Sequence, residues 1–275
     1  MHQVLADHTV LPSLSKETRF FDTHFHRGLE WYRAHFPHRC GERRVGEVAP
    51  TYFASSAARE RISQVVPHAK VVCIFRNPVE RVLSLYRVKC AYGMIPWTLE
   101  EAMVKDAELV ESGKYATNLR AWQQTLGSDQ VLATIYDDMC NKPQEYLDSL
   151  ADFIDIPRVT LRQSQGMPIH SSESMTYPRN YKRTRNATVF ADWLKARRLD
   201  LLVAAVRRSP VRKVFLGGGP AFAALSTEIA CRVCETFRPE VEELESILNR
   251  DLSAWKYFGR NKRSSQPSFN DVHAA

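Results

Sequence analysis

The chain has 275 residues and a mass of 31.5 kDa, a length that allows one large domain or two modest ones. Hydrophobic residues make up 44%, charged residues 25%, and the mean hydropathy is −0.35, which excludes the disordered, collagen-like and membrane classes. The longest apolar runs, 71–75 and 201–206, are far shorter than the ~20 residues that cross a bilayer. We therefore expect no transmembrane helix, and residues 1–7 lack the pattern of a secretory signal.

Positive charge is concentrated in one part of the chain. Residues 179–213 contain eleven Lys or Arg and two Asp, which gives this segment a net charge of +9. The whole chain has a formal net charge of +7, so the rest of the chain is slightly negative. Such density indicates an anionic partner: phosphate, sulfate, a polyanionic sugar or nucleic acid. A solvated helix face is the alternative interpretation.

The cysteines and histidines do not form a metal-site pattern. Six cysteines are scattered along the chain, and the one Cys-x-x-Cys pair, Cys231 and Cys234, falls within a predicted helix without a second pair. The one tight histidine pair, His24 and His26, has no carboxylate or thiol at ligand spacing. We predict reduced cysteines and no metal.

The first predicted elements surround one buried strand. Residues 44–48 predict a short strand, 55–66 a helix, and 71–75 a continuous apolar strand buried on both faces. Asn77 is a good N-cap, and Pro78 suits the first position of the next helix.

Strands and helices continue to alternate. Helices are predicted at 99–110 and 115–126, a second strand at 131–136, and a helix opening at Pro143. This alternation implies an α/β fold with a mostly parallel sheet.

The composition changes after Pro157. The sequence is polar and turn-rich as far as Asn186. It then predicts basic helices at 188–208, a break at 217–220, an amphipathic helix at 225–249 and a disordered tail at 259–275.

The first candidate site follows the central strand. Arg76 stands at the carboxyl end of the strand, beside a helix N-terminus, which is where α/β folds bind phosphate. Ser84, six positions after Pro78, could add a hydroxyl near the same anion. Alternatively, Arg76 caps a neighbouring element, and this segment alone does not decide between the two.

The second candidate site lies near the start of the chain. Glu17 follows Lys16 and precedes Phe20 and Phe21, and partial burial by these aromatics would raise its pKa toward that of a general base. An ordinary surface Lys-Glu pair is the alternative.

The two stretches together resemble the sulfotransferases, with the strongest likeness to the heparan-sulfate-type glycan enzymes and their bacterial relatives. The resemblance covers about residues 5 to 256. Its motifs are Lys16-Glu17-x-x-Phe20-Phe21-Asp22, Gly28-Leu29-x-Trp31-Tyr32, Gly46-Glu47-x-x-Pro50-x-Tyr52-Phe53, Arg76-Asn77-Pro78-x-x-Arg81-x-x-Ser84-x-Tyr86, Tyr115 with Trp122, and Phe237-Arg238-Pro239 to Leu252-Ser253-x-Trp255.

This resemblance implies a fold and a reaction. The fold is α/β, with a mostly parallel central sheet, helices on both faces and a P-loop-NTPase-like topology, in a single domain over 1–258. The reaction moves a sulfuryl group from 3′-phosphoadenosine 5′-phosphosulfate to a hydroxyl or amine. Arg76 and Ser84 would hold the donor's 3′-phosphate, Glu17 would be the base, and Arg19 and Asp22 would lie near the acceptor, although relatives usually have His at the position of Arg19.

The chain departs from the family pattern in three places. The first strand and the Lys-x-Gly-Thr-Thr loop that binds the 5′-phosphosulfate are absent, so we expect a truncated start. Val48 stands where glycan enzymes often carry a lysine. The late loop that clamps the 3′-phosphate has no clear match, and Arg212-Lys213 before the glycines at 217–219 is a possible substitute.

Two functions from different classes remain. One is a sulfotransferase with a carbohydrate acceptor, and the other is an inactive protein that binds a nucleotide or an anionic glycan. A nucleotide kinase is disfavoured because no Walker A motif is present. We expect neither a metal nor nucleic acid as a partner, and a cytoplasmic location, or the Golgi lumen if an N-terminal anchor is missing.

Overall fold

The protein is described by a computed structural model that covers residues 9–12, 17–36, 44–161, 175–197, 199, 202–203 and 218–257. Lys16, Cys40, Arg212, Lys213 and the tail 259–275, on which several expectations depend, lie outside the described residues. Among the helices of the described part, none combines the length and the apolar character needed to cross a membrane.

The two predicted central strands pair in parallel. β3 (Val71–Phe75) and β4 (Val131–Ile135) lie side by side with Val71 opposite Val131 and Phe75 opposite Ile135. Helices cover both faces, because Cys73 and Phe75 face one core while Thr134 on the other face contacts the Tyr146 hydroxyl at 3.1 Å. The α/β expectation is therefore confirmed, although Ile74 remains 37% exposed where burial on both faces was predicted.

A second parallel pair lies nearer the start of the chain. β1 (Thr9–Val10) pairs with β2 (Arg44–Val45), and over the described ranges no ladder joins this pair to β3 and β4. The predicted strand 44–48 is thus too long. The chain leaves the ladder after Val45 and turns inward, so that Tyr52 at the end of a 3₁₀ turn (Pro50–Tyr52) is buried.

The first three α-helices are short or strongly capped. A π-helical turn (Phe20–His24) and a 3₁₀ turn (Phe25–Arg27) lead into α1 (Gly28–Arg33). α2 (Ser56–Val65) begins after Ser55, whose hydroxyl accepts the Ala58 N–H. α3 (Pro78–Ala91) begins as predicted, because the Asn77 Oδ1 accepts the Val79 N–H at 3.0 Å.

The predicted helix 99–110 is wrong as a single element. It is divided into α4 (Leu99–Lys105) and α5 (Ala107–Glu111) by Asp106, which ends the first helix in an extended conformation. The Asp106 carboxylate then accepts the Glu108 N–H at 3.2 Å and caps the second helix. A short side chain that bonds to the local backbone competes with helix continuation, which explains the break.

Of the remaining helices in the α/β part, the two predicted ones are confirmed, but the short helix Tyr136–Asn141 was not predicted and begins where the predicted strand 131–136 was expected to end. α6 (Tyr115–Leu126) precedes β4, which is followed by α7 (Tyr136–Asn141) and by α8 (Pro143–Ile154), with Pro143 at its first turn. One core lies between β3, β4, α2, α6 and the long final helix, and it includes Phe20 and Phe21. A second core lies between α3, α4, α5 and that final helix.

The C-terminal part differs most from the expectation. The predicted break at 217–220 contains β6 (Gly218–Ala221), which pairs antiparallel with β5 (Thr176–Pro178). α9 (Tyr181–Ala196) begins within the stretch predicted to be turn-rich, seven residues before the predicted start at 188. The last helix, α10 (Thr227–Leu248), agrees with the prediction and contains Cys231 and Cys234, and no disulfide joins any two of the described cysteines.

Candidate active site

The first group of predicted site residues lies where β3 ends and α3 begins. Arg76 is half-buried directly after β3, and Ser84 is half-buried in the second turn of α3. Within the described part of the chain, neither side chain forms a hydrogen bond or an ion pair. Both therefore remain available to a ligand at the helix N-terminus, which favours anions.

Two further polar groups near Arg76 were not predicted from the sequence. Arg81 Nη1 and the Tyr115 hydroxyl are buried, and no partner is found for either among the described residues. Burial raises the pKa of Tyr115 to about 12, while the charges of Arg81 and Arg76 oppose the rise; the Arg76 N–H also approaches the oxygen without reaching hydrogen-bond geometry. Burial lowers the pKa of Arg81, and Arg76 lowers it further by like charge.

These groups form a set of donors that lacks an acceptor. Two buried donors without partners, beside a second guanidinium of the same charge, carry a cost that a bound anion would remove. The arrangement therefore fits a phosphate or sulfate group at the end of β3. Arg81 and Tyr115 both stand in the motifs of the resemblance, which is the signal that could have marked them.

The second group of predicted site residues forms a tight turn. Arg19 has a left-handed backbone with φ of 52° and opens the π-helical turn, in which Phe20 and Phe21 are buried. Its guanidinium lies 3.5 Å from the Asp22 carboxylate, and Asp22 Oδ1 is buried with no partner in the described residues. Arg61 of α2 fixes the turn by donating to the carbonyls of Phe21 at 2.7 Å and Asp22 at 3.2 Å.

A chain of hydroxyl groups ties this turn to Glu47. The Thr18 hydroxyl donates to Glu47 Oε2 at 2.7 Å and accepts the Phe20 N–H at 3.2 Å. The Tyr52 hydroxyl lies 3.4 Å from that of Thr18 and acts on the same carboxylate. Tyr52 in turn accepts the Phe21 N–H at 3.2 Å, so Glu47 is the final acceptor of the chain.

Glu47 is a third carboxyl group in this region, and the sequence analysis did not assign it a role. Burial raises its pKa, the hydroxyls of Tyr52 and Thr18 oppose that rise, and the charges of Asp22 and Glu17 add to it. Its Oε1 is buried and has no partner in the part of the chain that is described. Glu17 and Asp22 therefore lie close enough to Glu47 to influence its ionisation.

Residues 50–53 connect the two groups. Tyr52 contacts the π-helical turn, with its ring 5.8 Å from that of Phe21. The next residue, Phe53, packs its ring 5.6 Å from Phe75 and 6.4 Å from Tyr115 at the end of β3. The acidic residues near Phe21 and the cations near Phe75 thus lie on either side of this short segment. Val48, just before it, stands where glycan enzymes often carry a lysine.

We expect Glu47→Gln to change how stability depends on pH. A carboxyl whose pKa is raised by folding binds its proton more tightly in the folded state, so its contribution favours folding at low pH and is lost as pH rises. The loss begins near the unfolded value of about 4.3 and is complete above the raised folded pKa. The glutamine variant, which keeps an acceptor for Thr18, should gain stability relative to the parent as pH rises through this window.

Denaturant unfolding at a series of pH values measures the effect. Glu60→Gln is the control, since Glu60 is exposed on α2. A difference between parent and Glu47→Gln that stays constant with pH would contradict the assignment.

His24 and His26 are neighbours on the two short turns that precede α1. The centroids of their rings lie 6.3 Å apart. The pKa of His24 is lowered mainly by burial, with further contributions from the positive charges of Arg27 and Arg19. Across the described ranges, no group of three or more histidine, cysteine, aspartate or glutamate side chains is arranged to hold a metal ion.

The fold and the site together define an α/β protein with partnerless buried donors at the end of a central strand and a carboxylate cluster nearby. The sequence model of the family described as "Sulfotransferase family" matches residues 12–160, which is more than half of the chain. The chain belongs to the sulfotransferase family.

Curated relatives include glycan-modifying enzymes. The chain is 26% identical over 170 residues to the bifunctional heparan sulfate N-deacetylase/N-sulfotransferase 1 of Caenorhabditis elegans, covering 57% of this chain and 20% of that protein. It is 25% identical over 181 residues to the heparan sulfate glucosamine 3-O-sulfotransferase 3B1 of Mus musculus, covering 60% of this chain and 46% of that protein. The chain therefore spans between a fifth and about half of the length of these relatives.

A solved structure shares the fold. The sulfotransferase from Alicyclobacillus acidocaldarius superposes with a TM-score of 0.61 at 18% identity, covering 93% of this chain and 92% of that one. This likeness confirms the fold class expected from the sequence.

Proposed function

We propose that this chain transfers a sulfuryl group from 3′-phosphoadenosine 5′-phosphosulfate to a hydroxyl or amine of a carbohydrate. The observation that carries the proposal is the set of donors without acceptors at the end of β3: the Arg76 side chain, Arg81 Nη1 and the Tyr115 hydroxyl. These residues would hold the donor's 3′-phosphate together with Ser84. The donor supplies the group that is transferred, and the protein supplies position and charge.

In this proposal Glu17 is the general base. Glu17 is half-buried in the segment that the Thr18–Glu47 hydrogen bond and Arg61 hold in place. Its carboxylate would take the proton of the acceptor as the acceptor oxygen or nitrogen bonds to sulfur and the sulfur–oxygen bond to the donor's phosphate breaks. The charges of Asp22 and Glu17 raise the pKa of Glu47, so like charge within this cluster favours proton uptake. Arg19 and Asp22 would contact the acceptor or the transferring group.

The choice of a carbohydrate acceptor is supported by the relatives. The names of both curated relatives specify heparan sulfate, and the Lys-Glu-x-x-Phe-Phe pattern resembles the glycan enzymes. We further propose a cytoplasmic location, with the Golgi lumen as the alternative.

A combined binding and transfer measurement tests the proposal. Calorimetry with adenosine 3′,5′-bisphosphate should detect binding without added magnesium. A radiolabelled donor should then transfer sulfate to at least one member of a glycan panel and not to a simple phenol. Absence of both binding and transfer would overturn the proposal.

A second candidate function is a catalytically inactive protein that retains only the 3′-phosphate site. It is favoured by Val48, an apolar residue that is 39% exposed where the glycan enzymes often carry a lysine. Binding of the bisphosphate with no transfer to any glycan would support this alternative and exclude catalysis.

A further inference from the structure

α9 carries an unusual exposed face. Arg183, Asn186, Phe190, Trp193 and Arg197 follow one another at intervals of three and four residues, which places them along one side of the helix and its terminal turn. All five are exposed, and we call them the α9 stripe. Phe190 is 59% and Trp193 46% exposed, large values for aromatic side chains in a folded protein.

The aromatic residues of the α9 stripe are already stacked. The rings of Phe190 and Trp193 are nearly parallel, with centroids 5.7 Å apart and an interplanar angle of 16°. The Arg197 guanidinium carbon lies 3.7 Å from the Trp193 centroid. Three neighbouring side chains thus form an ordered surface on which a ligand could bind with little loss of side-chain entropy.

The opposite side of α9 holds the helix in place. Thr184 is 1% exposed, and the Thr188 hydroxyl donates to the Tyr92 carbonyl at 2.9 Å. Gly93 has φ of 67°, and a Cβ there would lie 2.8 Å from the Arg185 backbone nitrogen. This close packing orients the α9 stripe away from the protein.

The charge of the α9 stripe is entirely positive. Arg183 and Arg197 stand near its two ends, about 21 Å apart along a helix axis, and Asp192 falls on the opposite side of the helix. Neither arginine forms an ion pair with the described residues. The basic segment recognised in the sequence therefore presents unneutralised cations on both sides of an aromatic centre.

This surface is separate from the proposed donor site. α9 contacts the residues just after the C-terminal end of α3, whereas Arg76 precedes its N-terminal end. The fourteen residues of α3 separate the two by about 20 Å.

We propose that the α9 stripe binds an acidic glycan chain at a distance from the transfer site. The inference rests on the proposed function, in which the acceptor is a carbohydrate. Arginine guanidinium groups match the geometry of sulfate and carboxylate substituents. The apolar faces of sugar rings pack well on exposed aromatic side chains. An acidic glycan alternates sugar rings with anionic substituents, which matches a surface where Phe190 and Trp193 lie between Arg183 and Arg197.

Two other occupants fit the observations less well. A membrane-binding helix separates its apolar and charged faces, whereas here Asn186 and both arginines share the face of Phe190 and Trp193. A second copy of the chain, paired antiparallel through the α9 stripe, would place Arg183 of one copy near Arg197 of the other. Like charges would then meet at both ends.

Calorimetry of the full chain with a short heparin oligosaccharide tests the proposal. Phe190→Ser with Trp193→Ser should weaken binding by about tenfold or more. Arg183→Gln with Arg197→Gln should weaken it by about tenfold and reduce its dependence on salt. Arg185→Gln is the matched control, because Arg185 is an exposed cation of the same helix outside the α9 stripe, and its effect should stay below about twofold.

Each outcome decides the question. Unchanged heparin binding in both double variants overturns the proposal, as does equal binding of an uncharged oligosaccharide of the same length. Stripe-dependent binding of phosphatidylserine vesicles or single-stranded DNA that exceeds heparin binding overturns it in favour of those partners. Sulfate transfer to a disaccharide should be unchanged in both double variants, and its absence in the parent chain would count against the proposed function and not against glycan binding.

Discussion

Glu17→Gln should reduce the rate of sulfate transfer by about 10²- to 10⁴-fold, the range that a positioned general base contributes. The substitution keeps the size of the side chain and removes its ability to accept the acceptor's proton. Binding of adenosine 3′,5′-bisphosphate should be unchanged, because Glu17 lies in the segment before the π-helical turn and not at the end of β3. Steady-state transfer rates and calorimetry on the same preparations measure the two effects.

A second glutamate provides the control for this prediction. Glu30 of α1 is exposed and paired with Arg33 at 2.6 Å, so Glu30→Gln should leave both transfer and nucleotide binding intact. If Glu17→Gln retains more than about a third of the parental rate, well within the effect expected of an ordinary surface change, Glu17 is not the base.

Arg76→Ala should weaken binding of adenosine 3′,5′-bisphosphate by about 10- to 150-fold, which corresponds to the loss of a charged hydrogen-bonding partner worth about 1.5–3 kcal/mol. Ser84→Ala removes a neutral hydroxyl, so its effect should be several-fold smaller. Calorimetric dissociation constants measured at one salt concentration check both values. The affinity lost should also decrease at high salt, as expected for a partly exposed cation.

The opposite end of the same strand offers a matched control. Lys70 precedes β3 and pairs with Asp155 at 2.6 Å, so Lys70→Ala removes a positive charge at the amino end of the strand. It should leave nucleotide affinity within about twofold of the parent, since exposed pairs contribute little. Equal losses for Lys70→Ala and Arg76→Ala would show that only overall charge matters and would remove Arg76 from the site.

The local signals around β3 were strong enough to predict its surroundings. A continuous apolar run, the Asn77 cap and Pro78 each act through neighbouring residues, so their effect is visible in the sequence. The same is true of Pro143 at the start of α8. These elements are confirmed because local preference and tertiary packing agree.

The third carboxylate could not be predicted because its role depends on distant partners. Glu47 meets Thr18 and the charges of Glu17 and Asp22 across a separation of about thirty residues. Arg81 in α3 and Tyr115 at the start of α6 are likewise brought close by the tertiary fold, and local sequence patterns contain no record of such contacts. The proposed roles of Glu17, Arg19, Asp22, Arg76 and Ser84 remain predictions.

The errors near the C-terminus have a related cause. Gly218 and Gly219 indicate a turn, yet the chain there forms β6. Gly218 donates its N–H to the Thr176 hydroxyl of β5, and its carbonyl accepts a hydrogen bond from Arg179, which follows β5. Glycine is a weak strand former whose placement is decided by the neighbouring backbone. Pairing with a distant strand thus overrides the local preference.

The shared segment between Glu47 and Phe53 has a consequence for how this protein tolerates change. Consecutive residues of this segment contact different parts of the protein. The Tyr52 hydroxyl accepts the Phe21 N–H, whereas the Phe53 ring packs against Phe75. An insertion or deletion of one residue there would rotate one of these groups out of place and misalign the carboxylates with the guanidinium groups. Length variation should therefore be far better accommodated in exposed turns such as the one before β4 than in this seven-residue bridge.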